Sequence, residues 1–193
     1  FHLNSEDLFD ESLPLVKCKA KGGTLLLWPA ELDPYITILP TSTPAILPCR
    51  VSLPGVITSY HICIYLPTAG KDDQFFSALA ALEVIITEIY EKHDGLYPVF
   101  IRGDGNASSK NALRSTLLQH FLTKHDLHKV QIPHPTYHHF VGDGLFDSDL
   151  DIVLYTNTQG CSEVFCSVVC KLDNPLVESH HDIILSKFTL PLA

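Results

Sequence analysis

Val99-Phe100-Ile101-Arg102-Gly103-Asp104-Gly105-Asn106 is the stretch on which the reading of this chain turns. Three apolar residues and an arginine suit a short buried strand, and Gly-Asp-Gly-Asn is where that strand stops. The two glycines let the backbone turn sharply, so a carboxylate and a carboxamide project together from the strand's end. A negative charge beside a neutral amide suits a metal-bound water and a phosphate oxygen respectively. Taken alone, the same residues also fit an ordinary glycine-rich turn held by Asx hydrogen bonds.

Upstream, residues 59–66 alternate Tyr60, Ile62, Ile64 and Leu66 with His61, Cys63 and Tyr65, the period of a strand, and Pro67-Thr68-Ala69-Gly70 turns the chain. Asp72 and Asp73 favour the positive end of a following helix, on which Phe75, Leu79, Leu82, Ile86 and Ile89 share one face before His93-Asp94-Gly95. Downstream, a second helix is expected from Ser108 or Ser109, with Leu113, Leu117, Leu118, Phe121 and Leu122 inward and His125-Asp126 as its end. Residues 130–132 suit a short strand, residues 133–139 a loop leading to Gly142-Asp143-Gly144, and residues 151–155, 164–172 and 183–190 further strands around an Asn174-Pro175 turn.

Nearer the start, Lys21-Gly22-Gly23 opens a buried strand at 24–28, and 35–39 gives another. Residues 40–54, rich in Pro, Ser and Thr, read as a surface connection, and residues 1–16 have no clean period. Strands, then helices, then strands imply an α/β or α+β sandwich forming a single domain over 1–193, with 1–17 a poorly defined N-terminal segment.

With 46% hydrophobic and 18% charged residues, the 193-residue chain is globular in composition. The formal charge of −9 opposes general attraction to a polyanion, yet it is compatible with a carboxylate pocket that holds a divalent cation on a phosphodiester. No apolar run approaches the roughly 18–20 residues that cross a bilayer, so no membrane partner is expected. The six cysteines include no Cys-x-x-Cys pair, and they read as reduced thiols of an intracellular protein. The chain begins at Phe1 and has no methionine, which suggests a piece of a longer protein.

Four stations recur along this pattern: Tyr65-Leu66-Pro67, Gly103-Asp104-Gly105-Asn106, Ser148-Asp149-Leu150-Asp151 and Ser179-His180-His181. In order and residue type they resemble the endonuclease/exonuclease/phosphatase (DNase I-like) superfamily, where the corresponding stations read Tyr-x-Pro, Gly-Asp-x-Asn, Ser-x-x-Asp and Ser-Asp-His. Pro135-Thr136-Tyr137-His138-His139 looks most like the endonuclease domains of non-LTR (LINE-type) retrotransposons. The resemblance spans about residues 18–190. It implies a four-layer α/β sandwich of two mixed sheets flanked by helices, lacking its first strands here. It also implies a magnesium-dependent endonuclease, with manganese as a substitute. DNA would be the substrate, a reverse transcriptase domain a neighbour in the parent polyprotein, and the nucleus the place of action on genomic DNA.

By the same resemblance, Asp104 orients or deprotonates the attacking water and Asn106 holds water or phosphate. His181 touches the scissile phosphate, with Asp151 fixing its tautomer, and Tyr65 donates to a phosphate oxygen. Ser179, Thr136 and Ser148 would contact substrate, and Asp104 with His180 would face the metal. Read without the family, Tyr65 is a surface aromatic and Asp151 a strand-start carboxylate bonding a turn. His138-His139 and His180-His181 also invite a zinc reading, although neighbours in a strand point to opposite faces.

Three departures from the family pattern matter. The strand asparagine and metal-binding glutamate that open the family fold have no counterpart, Glu6, Glu11 and Glu31 being poorly placed. Without those strands a sheet edge or a core gap is expected. His180 stands where the family has aspartate, and Gly105 replaces a large apolar residue and would loosen its loop. The alternative function is therefore an inactive remnant or a domesticated binding module of the same fold. A phosphoinositide-type phosphatase ranks below both, because nothing resembles its substrate loops.

Overall fold

The computed structural model describes residues 2–4, 24–93, 95–108, 110–141, 144–156, 158, 161–169 and 181–193. Cys18, Cys170, Ser109, the Lys21-Gly22-Gly23 opening, the Asn174-Pro175 turn, Ser179 and His180 lie outside them. A six-stranded mixed sheet is the backbone of the fold. Its strands are β3 (Ile36–Ile38), β4 (Ile46–Val51), β5 (Ser59–Tyr65), β6 (Val99–Asp104), β7 (Leu127–Lys129) and β10 (Asp151–Thr156), in the order β3-β4-β5-β6-β10-β7. Two-stranded pairs accompany it: β1 (His2–Asn4) with β2 (Thr24–Leu26), β8 (Tyr137–Val141) with β9 (Gly144–Ser148), and β11 (Ser162–Val169) with β12 (Ile183–Thr189). The helices are α1 (Asp72–His93) and α2 (Ala112–Lys124), with a short 3-10 helix at Ala30–Tyr35.

The strand-helix-strand unit β5-α1-β6 makes the one parallel pairing of the sheet, because α1 returns the chain to the end where β5 began. Phe75, Ala78, Leu82, Ile86 and Ile89 of α1 are buried against Tyr60, Ile62, Ile64, Val99 and Ile101 in one core, joined by Leu118, Phe121 and Leu122 of α2. Each large apolar side chain so buried contributes about 1.5–3 kcal/mol. On the sheet's other face, Phe188 of β12 packs on Phe100 and Tyr155. A largely apolar cavity of about 380 Å³ lies there between Leu26, Trp28 and Leu32 and the sheet residues Cys49, His61 and Phe100.

Several expectations from the sequence are corrected. Residues 40–54 are not simply a connection: β4 lies within them, with Ile46, Leu47 and Cys49 buried. Its Pro48 accepts from the Leu39 N–H at 2.9 Å but has no N–H to return, and β3 ends at Ile38, where the ladder loses that donor. Residues 24–28 form a shorter and more exposed strand than expected, since Leu25 and Leu27 face out and the strand stops at Leu26.

Helix α2 begins at Ala112, not at residue 108 or 109, because the Asn111 side chain caps it by accepting from the Arg114 N–H. That register exposes Leu113 and buries Arg114. The strand expected at 130–132 lies at 127–129, and the stretch 133–139, read as loop, enters β8 at Tyr137. Within residues 1–16, Leu3 pairs with Leu25 in the β1–β2 ladder. Cys49, Cys63, Cys161 and Cys166 are free thiols. Among the described residues, no helix is long and apolar enough to cross a membrane.

Candidate functional site

At the end of the sheet where the parallel strands finish, three strands present one polar residue each. Cross-strand register pairs Tyr65 with Asp104 and Asp104 with Asp151, so β5, β6 and β10 set these residues in a row. The chain reverses directly after. Gly103 has φ +135°, and a Cβ there would lie 2.0 Å from the Ile64 carbonyl oxygen, so only glycine lets β6 run this close to β5. Gly105 donates to Leu150 O at 2.8 Å, and Ile152 fills the space a side chain would take, so this loop is anchored rather than loosened. Asn106 follows at φ +43°, a left-handed conformation that asparagine tolerates.

Asn106 shapes the turn from inside it. Its N–H donates to Asp104 Oδ1 at 2.9 Å, and its Nδ2 donates to Leu66 O at 2.7 Å. Leu66 N–H in turn donates to Asp104 O, which joins the Tyr65 and Asp104 loops. Asp104 is 8% exposed. Burial is the main reason its carboxyl is pushed up to about 6; the Asn106 N–H opposes the rise, Asp151 adds to it and His181 counters it. Burial, then Asp104 and Tyr137, raises the Tyr65 phenol.

The other half of the site is assembled from distant sequence. Asp182 N–H donates to Thr136 O at 2.7 Å and His181 bridges to Tyr137, which together bring the last station onto the start of β8. Asp151 Oδ2 accepts from Thr136 Oγ1 at 2.5 Å and sits 2.9 Å from His181 Nδ1. That contact assigns the Nδ1–H tautomer and leaves Nε2 on the cleft side, 3.9 Å from Asp104 Oδ2. The bond to Asp151 is the first reason the His181 pKa is raised, against the opposing effect of burial. Tyr137 meets the His181 ring edge-on at 4.9 Å. Ser148 Oγ donates to Ser108 Oγ at 3.1 Å, closing β9 onto the loop before α2.

Tyr65, Asp104, Asn106, Ser148 and His181 line a cleft of about 470 Å³ with the cation Lys110, whose ammonium lies 4.0 Å from the centre of the Phe146 ring, while Thr136 and Asp151 line the adjoining pocket. Thus Tyr65, Asp104, Asn106, Asp151, Thr136, Ser148 and His181 meet at one place. The remaining candidates, Ser179 and His180, lie outside the described residues.

Asp104 offers one carboxylate, partly used by Asn106, while Asp151 is committed to His181 and Thr136. Among the described residues, no group of three or more His, Cys, Asp or Glu is placed to hold an ion. Of the paired histidines, His138 lies between two carboxylates, 2.7 Å from Asp147 and 2.9 Å from Asp182. The sequence reading missed Tyr137 over His181 and the buried Arg114. The Asn111 cap was the available signal for Arg114, since it sets residues 114, 118, 121 and 122 on one helical face.

Comparison with solved structures finds this architecture in the endonuclease domain of TRAS1, a telomere-specific non-LTR retrotransposon. The TM-score is 0.63 at 18% identity, over 85% of this chain and 71% of that one. The human nocturnin catalytic domain, solved with bound sulfate, follows at 0.55 and 12%, over 82% of this chain and 62% of that one. An endonuclease/exonuclease/phosphatase family protein from Bacteroides thetaiotaomicron gives 0.53 and 13%, over 83% and 68%. No family model matches the chain. No curated protein matches it either. The fold is DNase I-like, as the four sequence stations implied.

Proposed function

We propose that this chain is a nuclease domain that hydrolyses DNA phosphodiester bonds, as in the target nicking of a retrotransposon endonuclease. The observation that carries the reading is the strand end at which Tyr65, Asp104 and Asp151 stand in register and Asp151 orients His181. In this reading the Asp104 carboxylate, ionised above about pH 6, takes a proton from a water whose oxygen bonds to phosphorus in line. The opposite phosphorus–oxygen bond breaks meanwhile, and the departing strand oxygen takes a proton from solvent. His181 Nε2 donates to a non-bridging phosphoryl oxygen and stabilises the charge that develops there, with Asp151 supporting the imidazolium. Tyr65 donates its phenolic hydrogen to the same phosphoryl group, and Asn106 fixes the loop that carries Asp104. Thr136 keeps Asp151 in place through its hydroxyl.

Among the described residues, no cluster of three or more His, Cys, Asp or Glu side chains stands ready to hold an ion. That same shortage favours a second reading, a binding module that keeps the fold without turnover. Nicking of supercoiled plasmid, with magnesium and with manganese, separates the two. Relaxed circles from the native chain and only background from Asp104→Ala are expected. Equal background from both would overturn the nuclease reading and leave the binding module, to be scored by DNA mobility shift.

A further inference from the structure

Behind the cleft, the largest fully buried side chain among the described residues is a cation. Arg114, on the first turn of α2, is 0% exposed, and all of its N–H donors are used. Nε and Nη2 donate to Asp72 Oδ1 at 2.9 and 2.7 Å, Nη1 to Pro67 O at 2.6 Å and Asn106 O at 3.1 Å, and Nη2 also to Thr68 O at 2.8 Å. The guanidinium lies 4.4 Å from the centre of the Phe75 ring. One planar group therefore ties the loop after β5, the loop after β6 and the start of α1 to α2.

We propose that Arg114 is a positioning residue for the half of the cleft formed by Tyr65, Asp104 and Asn106; this deepens the nuclease reading and rests on it. Three of the acceptors are main-chain carbonyls of the two strand-end loops, so the fork sets the spacing between those loops. Asn106 is the sensitive point. With its carbonyl drawn back to Arg114 at φ +43°, its N–H and carboxamide are turned to Asp104 and Leu66. The Asp151–His181 half is held by Thr136 and Tyr137 and shares no hydrogen bond with Arg114. A lysine would keep the charge but not the planar fork, leaving buried carbonyls unpaired.

Three variants of the whole chain test this: Asp72→Asn, Arg114→Lys and the charge-balanced double variant Asp72→Asn with Arg114→Gln. Asp72→Asn removes the ion pair and leaves the carbonyl contacts, so it serves as the destabilised control. In both Arg114 variants, amide exchange at Leu66 and Asn106 is expected to speed by about 10-fold or more relative to the amides within α1 and β10. In the nicking assay, kcat is expected to fall by about 10–100-fold with KM nearly constant. The Asp72→Asn control should move neither readout selectively. Uniform loosening, or activity that tracks thermal stability equally in all three variants, would overturn the positioning role. If the native chain does not nick, the nuclease reading falls, and selective exchange at Leu66 and Asn106 still decides whether Arg114 holds the two loops.

Discussion

Asp104 is paid for in stability. Its folded pKa of about 6 lies above the ordinary 3.8, so the folded state favours the protonated acid. The associated stability is fully present below the ordinary value and is lost as pH rises through about 6. Asp104→Asn, which retains an acceptor for the Asn106 N–H, is therefore expected to stabilise the cation-free chain near pH 7.5 by roughly 1–3 kcal/mol while abolishing nicking. The gain should vanish below about pH 4. Urea titrations at the two pH values check both parts. Gly103 gives the opposite expectation. Gly103→Ala meets the Ile64 carbonyl oxygen and an adverse φ, and should cost roughly 2–4 kcal/mol or prevent folding, as read by thermal unfolding.

The two helices test how well periodicity sees burial. On α1, four of the five residues assigned to the inner face are buried, the exception being the partly buried Leu79. On α2, a two-sided distribution of leucines hid the register, which Asn111 sets. Leu113→Ser should change stability by no more than about 0.5 kcal/mol, whereas Leu118→Ala should cost about 2–4 kcal/mol in the same denaturant assay. The β8–β9 hairpin was invisible in the sequence because His138 and His139 look like loop or metal residues. In the fold, His138 bridges Asp147 on β9 and Asp182 beside the last station, and its pKa is raised chiefly by the bond to Asp147. A raised histidine stabilises below its ordinary value, and the effect is lost as pH rises through the folded value. His138→Ala should thus cost up to about 1 kcal/mol near pH 6 and less near pH 8.5, with amide exchange quickening in β8 and β9.

For the molecule as a whole, the charge of −9 sets how DNA would be held. Lys110 is the one lysine or arginine among the described residues lining the cleft, so few phosphates can be neutralised there by them. Fluorescence anisotropy should give a shallow dependence of log K on log salt, with a slope of magnitude below about 3. A steep slope would mean that a basic surface outside the cleft carries the binding.

Sequence by itself determined the α/β class, β5, α1 and β6, and the order of the polar stations, because hydrophobic period and turn chemistry are local properties. It could not determine that Tyr65, Asp104 and Asp151 stand side by side, since strand register is a pairing between distant segments. Only the family resemblance, and no local pattern, joined His181 to Asp151, and nothing in the sequence buried Arg114 behind the loops. Those results depend on hydrogen-bond donors finding acceptors that are dozens of residues away along the chain, which only the closed tertiary structure brings within reach.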